Sequence, residues 1–392
     1  MNKNLQPLKV NERLLELDVL RGIALFGILV VNMKYFATPV LYLEMLGLNW
    51  WDDSLNLTFK LLVQLVFEFK FISMFSFLFG VGFALFLSRA EKKGISGFPL
   101  MKRRLLFLLV VGLVHLFFIW YGDILTIYAL LGFLLLFFLK KKLKLIIRWA
   151  FCFIIFPVVL YSLTIVFDLD NTSQIYNIEG IMERAVYAYT EGTMFDIFVQ
   201  RVVDIAAIYH GHIFIIPTVF GMFLLGVYAW KSGIISNAKQ QTHRIKQVRN
   251  RSLLIGLPFV VVSSLAGIYD GSMSSQYFII QNLGNSISGP AIAIFYMSSI
   301  FLLLQKDYWR RMLAFLQPIG RMAFTNYLFQ SVICTMIFYS YGLGQFGNVG
   351  YARGFLLAMI IFFFQVIFSY YYLKSFKMGP VEFLWRKYTY KK

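Results

Sequence analysis

Ionisable and hydrogen-bonding side chains are costly inside hydrocarbon, so those that fall within apolar runs mark where this chain could do chemistry. His115 is the one histidine well inside such a run, in the outer half of 105–121. Neutral imidazole takes up a proton near neutral pH, which suits a general base; bonded to a neighbouring helix, the same ring would be structural. Asp123 follows Gly122 and directly precedes the next apolar run, the place of a helix N-cap. On one continuous helix the two would stand ~12 Å apart at 1.5 Å per residue. A His115–Asp123 pair therefore requires the chain to fold back between them, with Asp123 binding or orienting what His115 acts on.

Two further groups lie at the ends of apolar runs. In Leu17-Asp18-Val19-Leu20-Arg21-Gly22, Asp18 and Arg21 are three apart on one helix face and can form an ion pair. The pair would either neutralise and orient the helix, or place Arg21 beside a cytosolic anion, since guanidinium suits phosphate. Asn326 and Gln330 are four apart, with Arg321 at the entrance of the same run. They can bond a neighbouring helix or line a polar path. His210 and His212 are two apart and point nearly opposite ways on a helix, so no shared metal is expected. The sequence has no Gly-rich phosphate loop ending in Lys-Ser or Lys-Thr, no paired metal motif and no elbow-type nucleophilic serine. No metal and no tightly bound cofactor is expected, and ATP-driven transport is unsupported.

These residues must be positioned by helices in a bilayer. Of 392 residues, 59% are hydrophobic and 14% charged, against about 25% charged in an ordinary soluble domain. Runs such as Leu105 to Trp120 approach the ~20 residues that cross ~30 Å of hydrocarbon. With no water to bond the backbone, such segments are helices. The expected fold is all-α: one polytopic transmembrane helical bundle over 1–392, with about ten spans at 20–36, 71–88, 105–121, 124–139, 145–167, 208–230, 253–269, 286–304, 322–341 and 354–372. One helix over 54–90 would be ~55 Å long. It is therefore divided near Lys70, with 57–69 on the outer surface. Gly80-Val81-Gly82 reads as close helix packing.

Charge sets the expected orientation. The net charge of +18 would suggest nucleic acid in a soluble protein, but its distribution argues otherwise. Of the 37 Lys and Arg, 31 fall in alternate connections: 1–21, 89–104, 140–148, 231–251, 305–321 and 374–392. The other six are Lys34, Lys60, Lys70, Arg184, Arg201 and Arg353. This positive-inside pattern predicts cytoplasmic N- and C-termini, a cytoplasmic loop at 231–251 and an extracytoplasmic loop at 168–204. Anionic lipids would meet the basic face. Cys152 and Cys334 lie in apolar runs and imply no disulfide. Lys3, Lys9 and Arg13 precede the first span without a small-residue cleavage site, so that span is expected to be retained.

Several stretches together resemble a known family. They are Leu17-Asp18-Val19-Leu20-Arg21-Gly22 and its continuation to Asn32, Lys70-Phe71 with Phe75 to Gly82, Gly112-Leu113-Val114-His115, Tyr121-Gly122-Asp123-Ile124-Leu125, Gly320 to Tyr327, and Gly379 to Arg386. The combination resembles the YeiB-like family of bacterial integral membrane proteins, the DUF418 domain of unknown function. That family is distantly similar to transmembrane acyltransferases, including the heparan-glucosaminide acetyltransferase type. The resemblance implies a multi-pass bacterial cell-membrane protein that takes an acyl group from a cytosolic thioester such as acyl-CoA to an extracytoplasmic, lipid or glycan acceptor. The donor would enter near Arg21 and Arg104. The rival expectation is a small-molecule or lipid transporter without covalent chemistry, its path lined by Asp18, Arg21, Asn326 and Gln330.

Overall fold

The computed structural model describes residues 14–166, 177–270, 273 and 275–390, and among them all regular structure is helical. The chain opens with α1 (Leu15–Ala37), α2 (Val40–Leu46), α3 (Ser54–Val66), α4 (Lys70–Lys92) and α5 (Gly97–Val114). A π turn (His115–Ile119) leads to α6 (Leu125–Leu135), α7 (Leu143–Val166), α8 (Ile178–Thr190) and α9 (Met194–Lys231). There follow α10 (Thr242–Tyr269), α11 (Gln276–Leu303), the short α12 (Asp307–Met312) and α13 (Gln317–Arg321), then α14 (Ala323–Phe338), α15 (Tyr351–Ser375) and α16 (Pro380–Tyr390).

Six segments among the described residues are long and apolar enough to cross a membrane: 54–92, 143–164, 214–231, 242–269, 276–303 and 351–375. That is fewer than the ten expected, and the shortfall has physical causes. α1 carries Glu16, Asp18, Arg21 and Lys34, and α5 carries Lys102, Arg103 and Arg104. The apolar segments 125–138 and 323–338 are short. Outward faces of the long helices are apolar, with Phe151, Ile155, Leu254, Leu265, Phe363 and Phe364 all exposed. Hydrocarbon covers such a surface at no cost, whereas water does not.

The two expected connecting segments are partly helical among the described residues. Within 168–204, α8 is helical and α9 begins at Met194, because Thr193 and Asp196 form a reciprocal capping box that starts the helix early. Asp204 is consequently a helix-interior group, buried and accepting hydrogen bonds from Tyr42, Tyr189 and Gln200. Within 231–251, α10 starts at Thr242, so half of that basic loop is helix. The expected division near Lys70 does occur. Phe69 takes a left-handed conformation (φ 60°), which ends one helix and starts the next.

Three of the six basic residues outside the alternate connections are interior groups rather than loop charges. Lys34 is paired with Glu44 at 3.2 Å and Glu68 at 3.0 Å, buried Lys70 donates to the Gln64 carbonyl at 2.6 Å, and Arg201 donates to the Phe117 carbonyl at 2.9 Å. Close helix crossings organise the bundle around α1, α4 and α9. A Cβ on Gly80 would lie 2.1 Å from the Phe223 carbonyl oxygen, and one on Gly226 2.1 Å from that of Phe77. The two glycines thus let the backbones of α4 and α9 touch. Likewise a Cβ on Gly320 would fall 1.8 Å from the Asp18 carbonyl oxygen, so α13 docks directly on α1.

Candidate functional site

His115 is the first residue of the π turn that follows α5, closed by Trp120 N–H donating to the His115 carbonyl at 2.8 Å. Such turns often occur at functional sites, because they re-aim the side chains that follow. Here the turn and the extended Trp120 reverse the chain, so Asp123 returns to His115 instead of standing about two helix turns away. Asp123 Oδ1 lies 2.8 Å from His115 Nδ1. The same carboxylate accepts from Leu125 N at 3.1 Å and Thr126 N at 2.7 Å, capping α6 as its position suggested. Capping and pairing are one arrangement, not alternatives.

The opposite ring nitrogen is also engaged. His115 Nε2 is 2.8 Å from Ser331 Oγ on α14, and His115, Asp123 and Ser331 are all buried. An ionised Asp123, which already accepts two backbone N–H bonds, can only accept from the ring, so it selects the tautomer with the proton on Nδ1 and the Nε2 lone pair toward the serine hydroxyl. A glycine makes this possible. A Cβ on Gly112, one turn before His115, would lie 2.6 Å from Thr126 N, an amide that Asp123 caps. Gly112→Ala is expected to push the start of α6 away, destabilising the fold by about 1–3 kcal/mol. Activity should fall further than that loss explains, because the His115–Asp123 distance lengthens. Parallel melting and activity curves that decline together would contradict this.

A cavity of about 310 Å³ leads toward these residues. Its mouth is lined by Arg21, Arg89, Arg104, Arg321 and Arg386. The two carboxylates there are already committed. Asp18 Oδ1 accepts from Arg21 Nη1 at 2.9 Å, as the spacing predicted. Glu382 accepts from Phe324 N at 2.8 Å, Thr325 N at 3.1 Å and the Thr325 hydroxyl at 2.5 Å, capping α14 from α16. Burial raises the Glu382 carboxyl above its usual pKa, opposed by these bonds. Arg104 stacks 3.9 Å over Trp385, whose indole donates to the Arg104 carbonyl at 2.9 Å. Arginines and a half-buried indole suit a phosphorylated aromatic ligand. Much of the remaining lining is apolar, including Phe75, Leu78 and Leu108, and it takes in Leu125 and Tyr327. The Tyr327 ring is 5.4 Å from the imidazole. Ser331 follows one turn further along α14, ~6 Å along the helix axis.

A protein-family model described as "Protein of unknown function (DUF418)" matches residues 229–392. A Bacillus subtilis (strain 168) protein described as "Uncharacterized protein YxaH" is 37% identical over 404 residues, covering 99% of this chain and 96% of the relative. The chain belongs to the YeiB-like DUF418 family. An "Uncharacterized 39.9 kDa protein in amylase 3'region" from Bacillus acidopullulyticus is 30% identical, covering 98% and 96%. "Uncharacterized protein YeiB" of Escherichia coli (strain K12) is 26% identical, covering 96% of each. No solved structure matches the chain. The DUF418 match contains Arg321, Tyr327, Ser331, Glu382 and Trp385, whereas Arg21, Arg104, His115 and Asp123 precede it. The cavity and its floor are thus built jointly by the matched region and the N-terminal third.

Not every residue singled out from the DUF418 sequence reaches this site. Arg21 and Arg104 line the mouth together, and His115 and Asp123 pair beyond the floor. Asn326 and Gln330 face elsewhere. Asn326 Nδ2 donates to Ser369 Oγ at 2.9 Å, and Gln330 Nε2 to Gln365 Oε1 at 2.9 Å, so both tie α14 to α15. On α14 they lie one residue before Tyr327 and Ser331, a rotation of about 100° that turns them from the cavity side. The side chains of His210 and His212 lie outside the described residues. Sequence reasoning missed Ser331 and Tyr327, since a serine and a tyrosine in an apolar run carry no local signal; their spacing of four on one helix face was the available clue. Among the described residues no cluster of His, Cys, Asp or Glu could hold a metal ion.

Proposed function

We propose that this chain is a membrane-embedded acyltransferase of the bacterial cell membrane, crossing ten times with both termini cytoplasmic. The observation that carries the reading is a single cavity joining a five-arginine mouth to the neighbourhood of a buried His115–Asp123 pair. The phosphates of a cytosolic acyl-CoA meet the arginines, and its base stacks beside Trp385. The acyl thioester occupies the apolar shaft. His115, held in one tautomer by Asp123, takes the proton from a hydroxyl or amine of a lipid-linked or glycan acceptor. Anionic lipids surround the basic face; nucleic acid has no part. Acyl-CoA is a co-substrate, and no tightly bound cofactor is required.

The ten crossings are the six long segments together with α1, α5, α6 and α14. In this topology α8 faces the exterior and the start of α10 the cytosol. On a Cys152→Ala background, a membrane-impermeant thiol reagent added outside should label Glu183→Cys and spare Lys246→Cys; the reverse pattern inverts the topology. For the activity, purified protein in lipid is given radiolabelled acyl-CoA. Label should pass to lipid, glycan or small molecule. If none is transferred and none hydrolysed, the acyltransferase reading falls, and substrate uptake or flipping without an acyl donor would replace it with a transporter.

A further inference from the structure

We propose that Ser331 is a covalent relay, accepting the acyl group from the donor and passing it on, so that transfer runs in two half-reactions. The inference rests on the acyltransferase reading and adds a residue and a kinetic order to it. Three observations converge. First, the only lone pair His115 can offer, that of Nε2, is already directed at Ser331 Oγ at 2.8 Å. The first hydroxyl this base activates is therefore the protein's own. Second, Asp123 holds the ring from behind at 2.8 Å while two backbone amides fix the carboxylate. This is the orienting third group that an activated nucleophile requires. Third, the cavity that the arginines line also takes in Tyr327, one turn of α14 before Ser331. A covalent relay lets the donor leave by that route before an acceptor arrives from elsewhere.

The steps balance. With Tyr327 swung aside, Ser331 Oγ gives its proton to His115 Nε2 and bonds to the thioester carbonyl carbon. The C–S bond then breaks, and the thiolate leaves as the thiol with the proton from His115. Next the acceptor hydroxyl or amine gives a proton to His115 and bonds to the acyl carbon of the Ser331 ester. The ester C–O bond breaks, and the proton returns to Ser331 Oγ. Charge on the tetrahedral oxygen needs a donor. Trp120, its ring 6.4 Å from the imidazole, has a buried indole N–H without a hydrogen-bond partner.

The test uses the full chain in detergent–lipid micelles with a small alkyl fluorophosphonate, followed by peptide mass mapping, and separately with radiolabelled acetyl-CoA quenched in acid. The wild-type protein should carry the phosphonyl group on Ser331, and labelling should fall by ~10²-fold or more in His115→Gln. Melting curves identify any variant that fails to fold, and the wild-type mapping needs no variant at all. Acid quenching should trap an acetyl ester on Ser331, and Ser331→Ala should lose both it and turnover. Labelling elsewhere or nowhere overturns the proposal. So does a folded Ser331→Ala variant that transfers acetyl at the wild-type rate, an outcome that leaves the acyltransferase reading standing. Ser331 labelling that depends on His115, with no transfer or hydrolysis of any acyl-CoA, supports the activated serine and removes the acyltransferase reading instead.

Discussion

His115→Gln should lower acyl transfer by ~10²–10⁴-fold, the usual contribution of a positioned general base, while the protein still folds. Glutamine approximates the length of histidine and can donate toward Asp123 as Nδ1 does, but it offers no basic nitrogen to Ser331. The carboxylate keeps its two bonds from Leu125 N and Thr126 N, so the α6 cap survives the change. The buried bond to Ser331 is the one most exposed to loss, and leaving such a group unsatisfied costs about 1–3 kcal/mol. A purely structural histidine would produce only that stability loss, with residual activity tracking the folded fraction. Melting temperature and specific activity measured on one preparation separate the cases. A well-folded, fully active variant would remove His115 from catalysis.

The second large effect is expected at the cavity mouth. Asp18 is buried and Arg21 partly so, their side chains 5% and 27% exposed. Removing one member of a buried pair costs about 3–5 kcal/mol, since the charge left behind is desolvated without its partner. The partial exposure of Arg21 places this site at the lower end of that range. Asp18→Ala also leaves Arg21 in a mouth lined by four other arginines, whose repulsion Asp18 now offsets. Arg21→Ala deprives the Asp18 carboxylate of its guanidinium. The double variant should therefore be less destabilised than the sum of the single ones, read from melting curves of all four proteins. Strict additivity would show that the two side chains do not interact. Arg21→Ala should in addition weaken binding of a phosphorylated donor, an effect that Asp18→Ala should not share.

Sequence and structure agree where one segment alone decides the outcome. Apolar composition and run length determined that the chain is helical and suited to a membrane, because an unbonded backbone in hydrocarbon is prohibitive. The three-residue spacing of Asp18 and Arg21 determined their pairing, since helix geometry brings such residues together whatever surrounds them. The position of Asp123 after Gly122 likewise determined its capping role; of the two glycines read as close helix packing, Gly80 meets the α9 backbone, whereas Gly82 lines the cavity beside Arg21. Tertiary structure decided what depends on two distant segments. Asn326 and Gln330 bond α15 rather than line a path, because the helix that met that face of α14 supplied Ser369 and Gln365. Whether His115 reaches Asp123 depended on a π turn that no periodicity marks, and on the room that Gly112 leaves beside Thr126. Ser331 joins His115 across 216 positions of chain. Spacing along a helix cannot encode that meeting; it arises only when the π turn after α5 packs against α14.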